Sequence, residues 1–194
     1  MARIKAFNKE EVLKKAVDLF WAQGYNATSA NDLVNHLGLS RSSLYDTFGD
    51  KRQLFLLSLE QYHNKIIGQM ISFIENSDDI RATLVSLFEF IIDQDIASKV
   101  PKGCFMVNSA IELSAFDPEI AVIVNANQRS VEHALEMALE KARQNGQLRA
   151  SYNPDSLSKF FFNTISGIRV AIRSKQDPKA LKEIVKVSLL VLEA

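Results

Sequence analysis

The chain has 194 residues, is 47% hydrophobic and contains four prolines and seven glycines, which is enough to bury one sizeable core. Its 23 Lys and Arg residues balance its 23 Asp and Glu residues, so a uniformly basic nucleic-acid-binding protein is excluded. A local basic face stays possible, because residues 1–52 carry eight cations against six acids.

Cysteine content and hydropathy predict where the protein works. Cys104 is the only cysteine, which excludes an intramolecular disulfide and fits a reducing compartment. The first residues lack the apolar core of a signal peptide, and the longest unbroken apolar run, 120–124, is too short to cross a bilayer. We therefore expect a soluble, cytoplasmic protein without a membrane partner.

Apolar residues recur with a helical period along almost the whole chain, and no sustained two-residue alternation predicts a strand. Asn8 is followed by Glu11, and Asp50 by Gln53, both with the spacing of a capping box. Three further helix starts combine a side-chain acceptor with proline: Asp117-Pro118, Asn153-Pro154 and Asp177-Pro178. These signals predict an all-α fold of about nine helices: 8–23, 29–36, 40–47, 50–75, 78–98, 104–115, 117–145, 154–174 and 178–193.

The two short helices at 29–36 and 40–47 have the pattern of a helix-turn-helix unit. Gly38 suits a turn with positive φ, and Ser40 is a natural N-cap for the second helix. If Leu44 and Phe48 point inward, the outer face carries Arg41, Ser42, Ser43, Tyr45, Asp46 and Thr47. Short hydroxyls and an arginine there suit base edges and phosphates in a major groove. On the pattern alone, the alternative is an ordinary helical hairpin with a solvated face.

Three spaced motifs, "AVDLFWAQGYNATS", "LGLSRSSLYDTF" and "DKRQLF", lie within residues 8–55. Together they resemble the DNA-binding domain of TetR-family transcriptional regulators, while the rest of the chain is similar only as an all-helical tail. The resemblance implies a helix-turn-helix DNA-binding domain at 1–52 and an effector-binding and dimerisation domain at 53–194.

By position, the resemblance also implies residues that contact DNA. Thr28 and Lys51, at the starts of the second and fourth helices, should clamp backbone phosphates, and Tyr45 should reach a phosphate through its hydroxyl. Arg41 could serve guanine or a phosphate. Base-edge or sugar contacts are implied for Asn31, Ser42, Ser43, Asp46 and Thr47. Arg3 and Lys5 form a short basic arm for the flanking backbone or minor groove.

Asp46 departs from the family pattern, in which few members carry an acid at this position and many carry His where this chain has Thr47. A carboxylate cannot contact phosphate favourably. It can accept from a cytosine amino group, pair with Arg41 or Lys51, or lie at the rim of the contact. The base that is read therefore stays open at this stage.

The last two helices predict a homodimer. Residues 184–192 are apolar nearly all round, and Ser166-Gly167 would permit a close helix crossing in the preceding helix. An isologous contact of two helices from each chain fits both features and matches the dimer that the resemblance implies. Charging the last helix, for example by Leu189→Glu, is expected to break it. The alternative is a monomer whose last helix is simply central.

Between these two regions we expect a pocket for a small hydrophobic or aromatic effector. The candidate lining residues are Tyr62, His63, Met70, Phe73, Phe90, Cys104, Phe105, Asn108 and Phe162. For any single aromatic or methionine, plain core packing is the competing interpretation. Asn108 and His63 carry more weight, because a polar group on an apolar helix needs a partner.

Cys104 admits two interpretations. Some members of the resembling family carry a similar Gly-Cys at this helix start and respond to electrophiles or oxidants, and Lys102 would favour a thiolate there. The apolar residues 105–107 follow at once, which favours inert packing. The three histidines are far apart and no phosphate-binding loop is present, so we predict no catalytic residue, no metal site and no cofactor.

These features predict a one-component regulator that binds a palindromic double-stranded DNA operator as a homodimer and represses transcription. A small-molecule effector, electrophilic if Cys104 reacts, would release it. Two alternatives stay open: an activator of the same fold, and a helical ligand-binding or adaptor protein without operator recognition.

Overall fold

The computed structural model describes residues 7–96 and 100–193 of the chain. The proposed basic arm of Arg3 and Lys5 and the predicted end of the fifth helix at residues 97–98 lie outside the described residues. Within them the chain is helical and has no strand, which confirms the predicted all-α class.

Nine helices follow one another along the described ranges. Their bounds are α1 Lys9–Gln23, α2 Ala30–Leu37, α3 Arg41–Phe48, α4 51–75, α5 Ile80–Ile96, α6 Phe105–Leu113, α7 Pro118–Gln144, α8 Pro154–Arg173 and α9 Pro178–Leu189. Helix α4 is continuous but has three parts: the α-helical Lys51–Tyr62, a π-helical turn His63–Ile67 and the α-helical Gly68–Glu75. A single 3₁₀ turn, Leu190–Leu192, extends α9.

The helix starts follow the caps that the sequence indicates, with one correction. Asn8 Oδ1 accepts from Glu10 N at 2.9 Å, and Asp50 Oδ1 accepts from Gln53 N at 2.8 Å. Neither Glu11 nor Gln53 returns a bond to its cap, so these are simple N-caps. The complete capping box lies instead at Ser29 and Asp32, before α2.

One hydrophobic core runs through the molecule. Phe20 of α1 meets Phe55 of α4 edge to face at 5.1 Å between ring centroids, and Phe55 meets Phe105 of α6 at 5.4 Å. The first half of α4 packs on α1, whereas its last part packs on α7, which in turn lies along α8. The domain boundary predicted at residue 52 therefore falls inside α4, a helix that packs against both regions.

Among the described helices, none is both long enough and apolar enough to span a membrane.

Candidate DNA-binding surface and effector cavity

Helices α2 and α3 form a helix-turn-helix unit around Gly38. This glycine has φ 67° in the left-handed region, and its N–H donates to Val34 O at 3.1 Å to close α2. The prediction of a positive φ at Gly38 is thus confirmed. Leu33, Leu37 and Leu44 are buried between the two helices, which fixes the orientation of α3.

A cluster of serine hydroxyls caps α3. Ser40 Oγ accepts from Ser43 N at 3.1 Å, donates to Ser43 Oγ at 2.8 Å and lies 3.1 Å from Ser42 Oγ. Since Leu44 and Phe48 are buried, these hydroxyls are held at the open N-terminal end of α3. Two candidate base-reading groups are therefore preordered in the absence of DNA.

The remaining predicted DNA-contacting side chains are accessible to different degrees. Asn31, Arg41, Ser42 and Asp46 are exposed. Half-buried positions are Ser43, Tyr45, Thr47 and Lys51. Asp46 forms no ion pair with Arg41 or Lys51 in the described part of the chain, which leaves a contact in the groove or a place at the rim.

Thr28 requires a correction. Its side chain is fully buried, and its hydroxyl donates to Gly24 O at 2.6 Å. The residue therefore stabilises the α1–α2 loop, and its hydroxyl does not face a phosphate in this structure. Thr28 lies just before Ser29, the N-cap of α2, and the motif does not reveal that its hydroxyl donates to a local carbonyl.

Lys51 lies at the start of α4, where its ammonium is 4.3 Å from the centre of the Tyr25 ring. Partial burial lowers the pKa of Lys51, and the carboxylates of Glu112 and Asp32 oppose that shift. The cation is thus held over an aromatic ring near the helix N-terminus, an ordered position for a phosphate contact.

Arg52 makes a long-range contact that sequence reasoning missed. Its Nε lies 3.2 Å from Asp117 Oδ2, and its Nη2 lies 3.1 Å from Asp117 Oδ1 and 2.6 Å from Glu119 Oε2. These hydrogen bonds raise the pKa of Arg52 and lower that of Asp117. They fasten the start of α4 to the start of α7.

Two other long-range contacts fasten α1 and its loop to the C-terminal helices. Glu112 of α6 accepts from Tyr25 N at 3.0 Å and from Asn26 N at 2.7 Å. Arg173 at the end of α8 donates to Trp21 O at 3.3 Å and to Lys102 O at 3.1 Å. Because most of these partners are backbone groups, no residue pattern in the sequence predicts the contacts.

The segment before α6, residues 100–104 (the connecting segment), lies against both α1 and α8. Trp21 Nε1 donates to Gly103 O at 3.2 Å, and Arg169 Nη1 lies 3.5 Å from the same oxygen. Gly103 has φ 65°, and a Cβ built there would lie 2.7 Å from Arg169 O. Glycine is therefore required by both the backbone conformation and the close approach of α8.

A cavity of about 650 Å³ opens between α4 and α5. Trp21, Lys102 and Arg169 are half-buried and lie together around Gly103, at the end of the lining that we call the inner end. Phe73 and Phe90 are exposed at 48% and 59%, and we call their end the mouth. The lining comprises Trp21, Ile66, Gln69, Met70, Phe73, Ser86, Leu87, Phe90, Gln94, Lys102 and Arg169. A volume of this size is typical of pockets that hold small organic molecules.

Of the predicted lining residues, Met70, Phe73 and Phe90 do line this cavity and the other six do not. Tyr62, Cys104 and Phe105 are buried in the core, where the Tyr62 hydroxyl donates to Cys104 Sγ at 3.6 Å. Burial raises the pKa of Tyr62 well above its usual value.

The polar candidates have structural partners instead. Asn108 Nδ2 donates to Lys102 O at 2.9 Å and so holds the connecting segment. His63, on the π-helical turn, has its Nδ1 3.0 Å from Oδ1 of the buried Asn127. Phe162 is half-buried against the core. Asn108 and His63 do have polar partners, as predicted, but these partners are groups of the protein itself.

Comparison with known proteins decides the family. Residues 12–57 match the family "Bacterial regulatory proteins, tetR family", and residues 81–187 match "Tetracyclin repressor-like, C-terminal domain". The chain belongs to the TetR family of transcriptional regulators. The helix-turn-helix interpretation and the prediction of a DNA-binding transcriptional regulator are therefore confirmed.

Individual relatives agree with this assignment. The regulator is 30% identical over 194 residues to the uncharacterized HTH-type transcriptional regulator YezE of Bacillus subtilis (strain 168), covering 100% of both chains. It is 28% identical over 189 residues to the HTH-type transcriptional repressor ComR of Escherichia coli (strain K12), covering 96% and 90% of the two.

Solved structures share the fold of this TetR-family regulator. A cysteine variant of the regulator CifR, in complex with a 26-base-pair double-strand operator, aligns with a TM-score of 0.87 at 20% identity over 98% of this chain and 100% of that one. Escherichia coli NemR in its reduced form aligns with a TM-score of 0.80 at 19% identity, covering 92% and 93%.

The regulator also exposes an apolar surface on its last two helices. Val187 of α9 is 64% exposed and Leu190, in the 3₁₀ turn that follows, is 50% exposed; Phe160 and Val170 of α8 are exposed as well. Leu189, which was expected to lie in a dimer contact, is buried at 5% exposure. The all-round apolar pattern of 184–192 thus covers two faces, one turned to the core and one turned outward.

Proposed function

We propose that this TetR-family regulator is a homodimeric, cytoplasmic repressor whose release from its operator is controlled by a small molecule in the α4–α5 cavity. Residues 1–52 would bind DNA, and residues 53–194 would bind the effector and the second copy. One observation carries the proposal: Trp21 belongs to α1 of the DNA-binding region and also forms the inner end of the cavity.

The DNA contact is supported by the order of the α3 face. The Ser40 cluster holds Ser42 and Ser43 at the open end of α3, and Arg41 is exposed beside them. Lys51 supplies a cation near the start of α4, where helix N–H groups also favour a phosphate. CifR, a protein of the same fold, binds a double-strand operator.

The dimer is supported by the surface of α8 and α9. Exposed apolar residues on both helices, among them Val187 and Phe160, would bury one another in an isologous contact. Gly167 lies on the same outer side of α8, and no atom lies within 4 Å of a Cβ built there. A second copy could therefore approach the α8 backbone closely.

Control by an effector requires that the ligand bind the free and DNA-bound states with different affinity. The connecting segment offers a physical route, because it borders the cavity through Lys102 and holds α1 through Gly103 O and Trp21 Nε1. Movement of this segment would tilt α1, and with it α3, relative to the dimer axis.

A footprint on the DNA upstream of the regulator's own gene tests the proposal. We expect two protected half-sites related by a palindrome, with an affinity that falls steeply as salt rises. Absence of protection, or an affinity that does not change with salt concentration, would overturn the proposal that the protein binds an operator at this site. An adaptor without operator recognition is disfavoured, because the family match includes the helix-turn-helix residues themselves.

A further inference from the structure

The charged side chains in the described lining of the cavity come from two residues. Among the described lining residues, Lys102 and Arg169 are cationic and none is acidic. Both cations lie at the inner end beside Gly103, since Lys102 precedes it in the chain and Arg169 Nη1 is 3.5 Å from its carbonyl oxygen. Asp18 pairs with Lys102, so the charge at the inner end that no carboxylate of the described residues offsets is that of Arg169.

The two cations differ in how they are already satisfied. Lys102 Nζ lies 3.3 Å from Asp18 Oδ1 and 5.0 Å from the centre of the Trp21 ring. Arg169 is half-buried, and no carboxylate of the described residues lies within ion-pair distance of it. Its contact with Gly103 O is long, so most of its donor capacity is unused by the described residues.

A planar guanidinium with unused donors is matched best by a carboxylate, which it can bind through two parallel hydrogen bonds. A cationic ligand would be repelled by the guanidinium of Arg169, and a purely apolar one would remove water from Arg169 without supplying a partner. The rest of the cavity is suited to an apolar body, because Trp21, Met70, Leu87, Phe73 and Phe90 line it from the inner end to the mouth.

We propose that the effector is a small organic carboxylate with an aromatic or aliphatic body, whose carboxylate binds Arg169 at the inner end of the cavity. This inference rests on the proposed function, since it names the chemical class of the ligand. It also places the ligand's charge beside Gly103 O, the oxygen that accepts from Trp21 of α1.

Trp21 provides the readout, because it is the only tryptophan and it lines the cavity. Its fluorescence can be titrated with ω-phenylalkanoates from phenylacetate to phenylhexanoate, and with the matching amides and amines. We expect at least one carboxylate to bind roughly tenfold to a hundredfold more tightly than its amide, as a charged hydrogen-bonded pair gives, and the amine to bind more weakly than the carboxylate.

The variants Arg169→Gln and Arg169→Lys assign the effect to this side chain. R169Q should lose the preference for carboxylate over amide while keeping the amide affinity, which also shows that the variant is folded. R169K should keep part of the preference, because it retains the charge without the planar fork. R129Q, at an exposed arginine of α7, is the matched control and should change nothing.

The outcomes separate the two proposals. Equal binding of amide and carboxylate, failure of every carboxylate in the series, or an unchanged preference in R169Q would overturn the ligand class. If a carboxylate binds through Arg169 but leaves operator affinity unaltered, the ligand class stands and effector-controlled release fails. If an amide or amine releases the operator while no carboxylate binds, release stands and the carboxylate inference fails.

Discussion

The α3 face and the α4–α5 cavity use polar groups in opposite ways. On α3, Ser42 and Ser43 are held by Ser40, a neighbour in the chain, and they point outward. In the cavity, Lys102 and Arg169 come from segments 67 residues apart in number and meet at one inner end. Local hydrogen bonds thus order the proposed DNA-binding face, whereas only the tertiary fold brings together the groups that line the cavity.

The largest expected effect comes from the outer face of α9. Val187→Glu should place a charge in the proposed dimer contact, where it would be buried without a partner, and so give monomers. Because the two half-sites would then bind independently, operator affinity should fall by roughly a hundredfold or more. Analytical ultracentrifugation and operator titration measure both quantities.

Two variants on the same helix sharpen this prediction. Lys179→Glu, at an exposed position of the first turn, should leave the dimer intact. Leu189→Glu should instead lower the free energy of unfolding by about 3 kcal/mol or more, because Leu189 is buried in the core of each protomer. If V187E still forms a dimer, the dimer interface does not include the outer face of α9.

The second prediction concerns phosphate contacts. If each DNA-binding region neutralises three or four phosphates, log K against log salt should have a slope near roughly −6 for the dimer. Lys51→Ala should flatten that slope by about 1 per protomer and weaken binding to all sequences alike. If the slope is the same in K51A, Lys51 does not contact a phosphate.

Ser43→Ala and Thr47→Ala are the matched comparison for K51A. They should leave the salt slope in place and change the preference among operator variants by about 1 to 3 kcal/mol, because they remove hydroxyls that we propose contact base edges. If both substitutions weaken binding to all operator variants equally, these hydroxyls contact phosphates and not base edges.

The features that depend on neighbouring residues could be predicted from the sequence, and those that depend on the tertiary fold could not. Caps and the turn at Gly38 depend on neighbouring residues, so the helix starts were predicted closely. Of the residues that line the α4–α5 cavity, only Met70, Phe73 and Phe90 were predicted from the sequence. Helical spacing does not distinguish a lining side chain from a core one such as Phe105. The sequence did not identify Arg169 as a lining residue. Its position off the apolar stripe of α8 does not show what it faces until the places of α1 and α5 are known.

The third prediction uses acid to test the contact between α4 and α7. The folded-state pKa of Asp117 is lowered below its ordinary value of 3.8, first by the hydrogen bond from Arg52. A lowered pKa stabilises the fold above the unfolded-state value, and that contribution is lost as pH falls from about 3.8 through the folded value. Arg52→Gln should therefore destabilise the protein at pH 6 and matter less near pH 3.

Urea unfolding at the two pH values measures this difference. Asp117→Asn is a matched variant, because Asn still provides a side-chain oxygen for the N-cap of α7 but removes the charge. It should reproduce the part of the R52Q effect at pH 6 that comes from Asp117, because the contact of Arg52 with Glu119 remains. A destabilisation by R52Q that is equal at both pH values would show that the ion pair with Asp117 is not its source.

The smallest effect is expected at Cys104. Its thiol is buried at 4% exposure and accepts a hydrogen bond from Tyr62, so a maleimide should label it only after denaturation. Lys102, which could have favoured a thiolate, lies within ion-pair distance of Asp18 and near the Trp21 ring. Cys104→Ser keeps an acceptor for the Tyr62 hydroxyl and should leave operator affinity unchanged. Fast labelling of the native protein, with operator release that C104S lacks, would show instead that the core around Tyr62 opens and that the thiol is a switch.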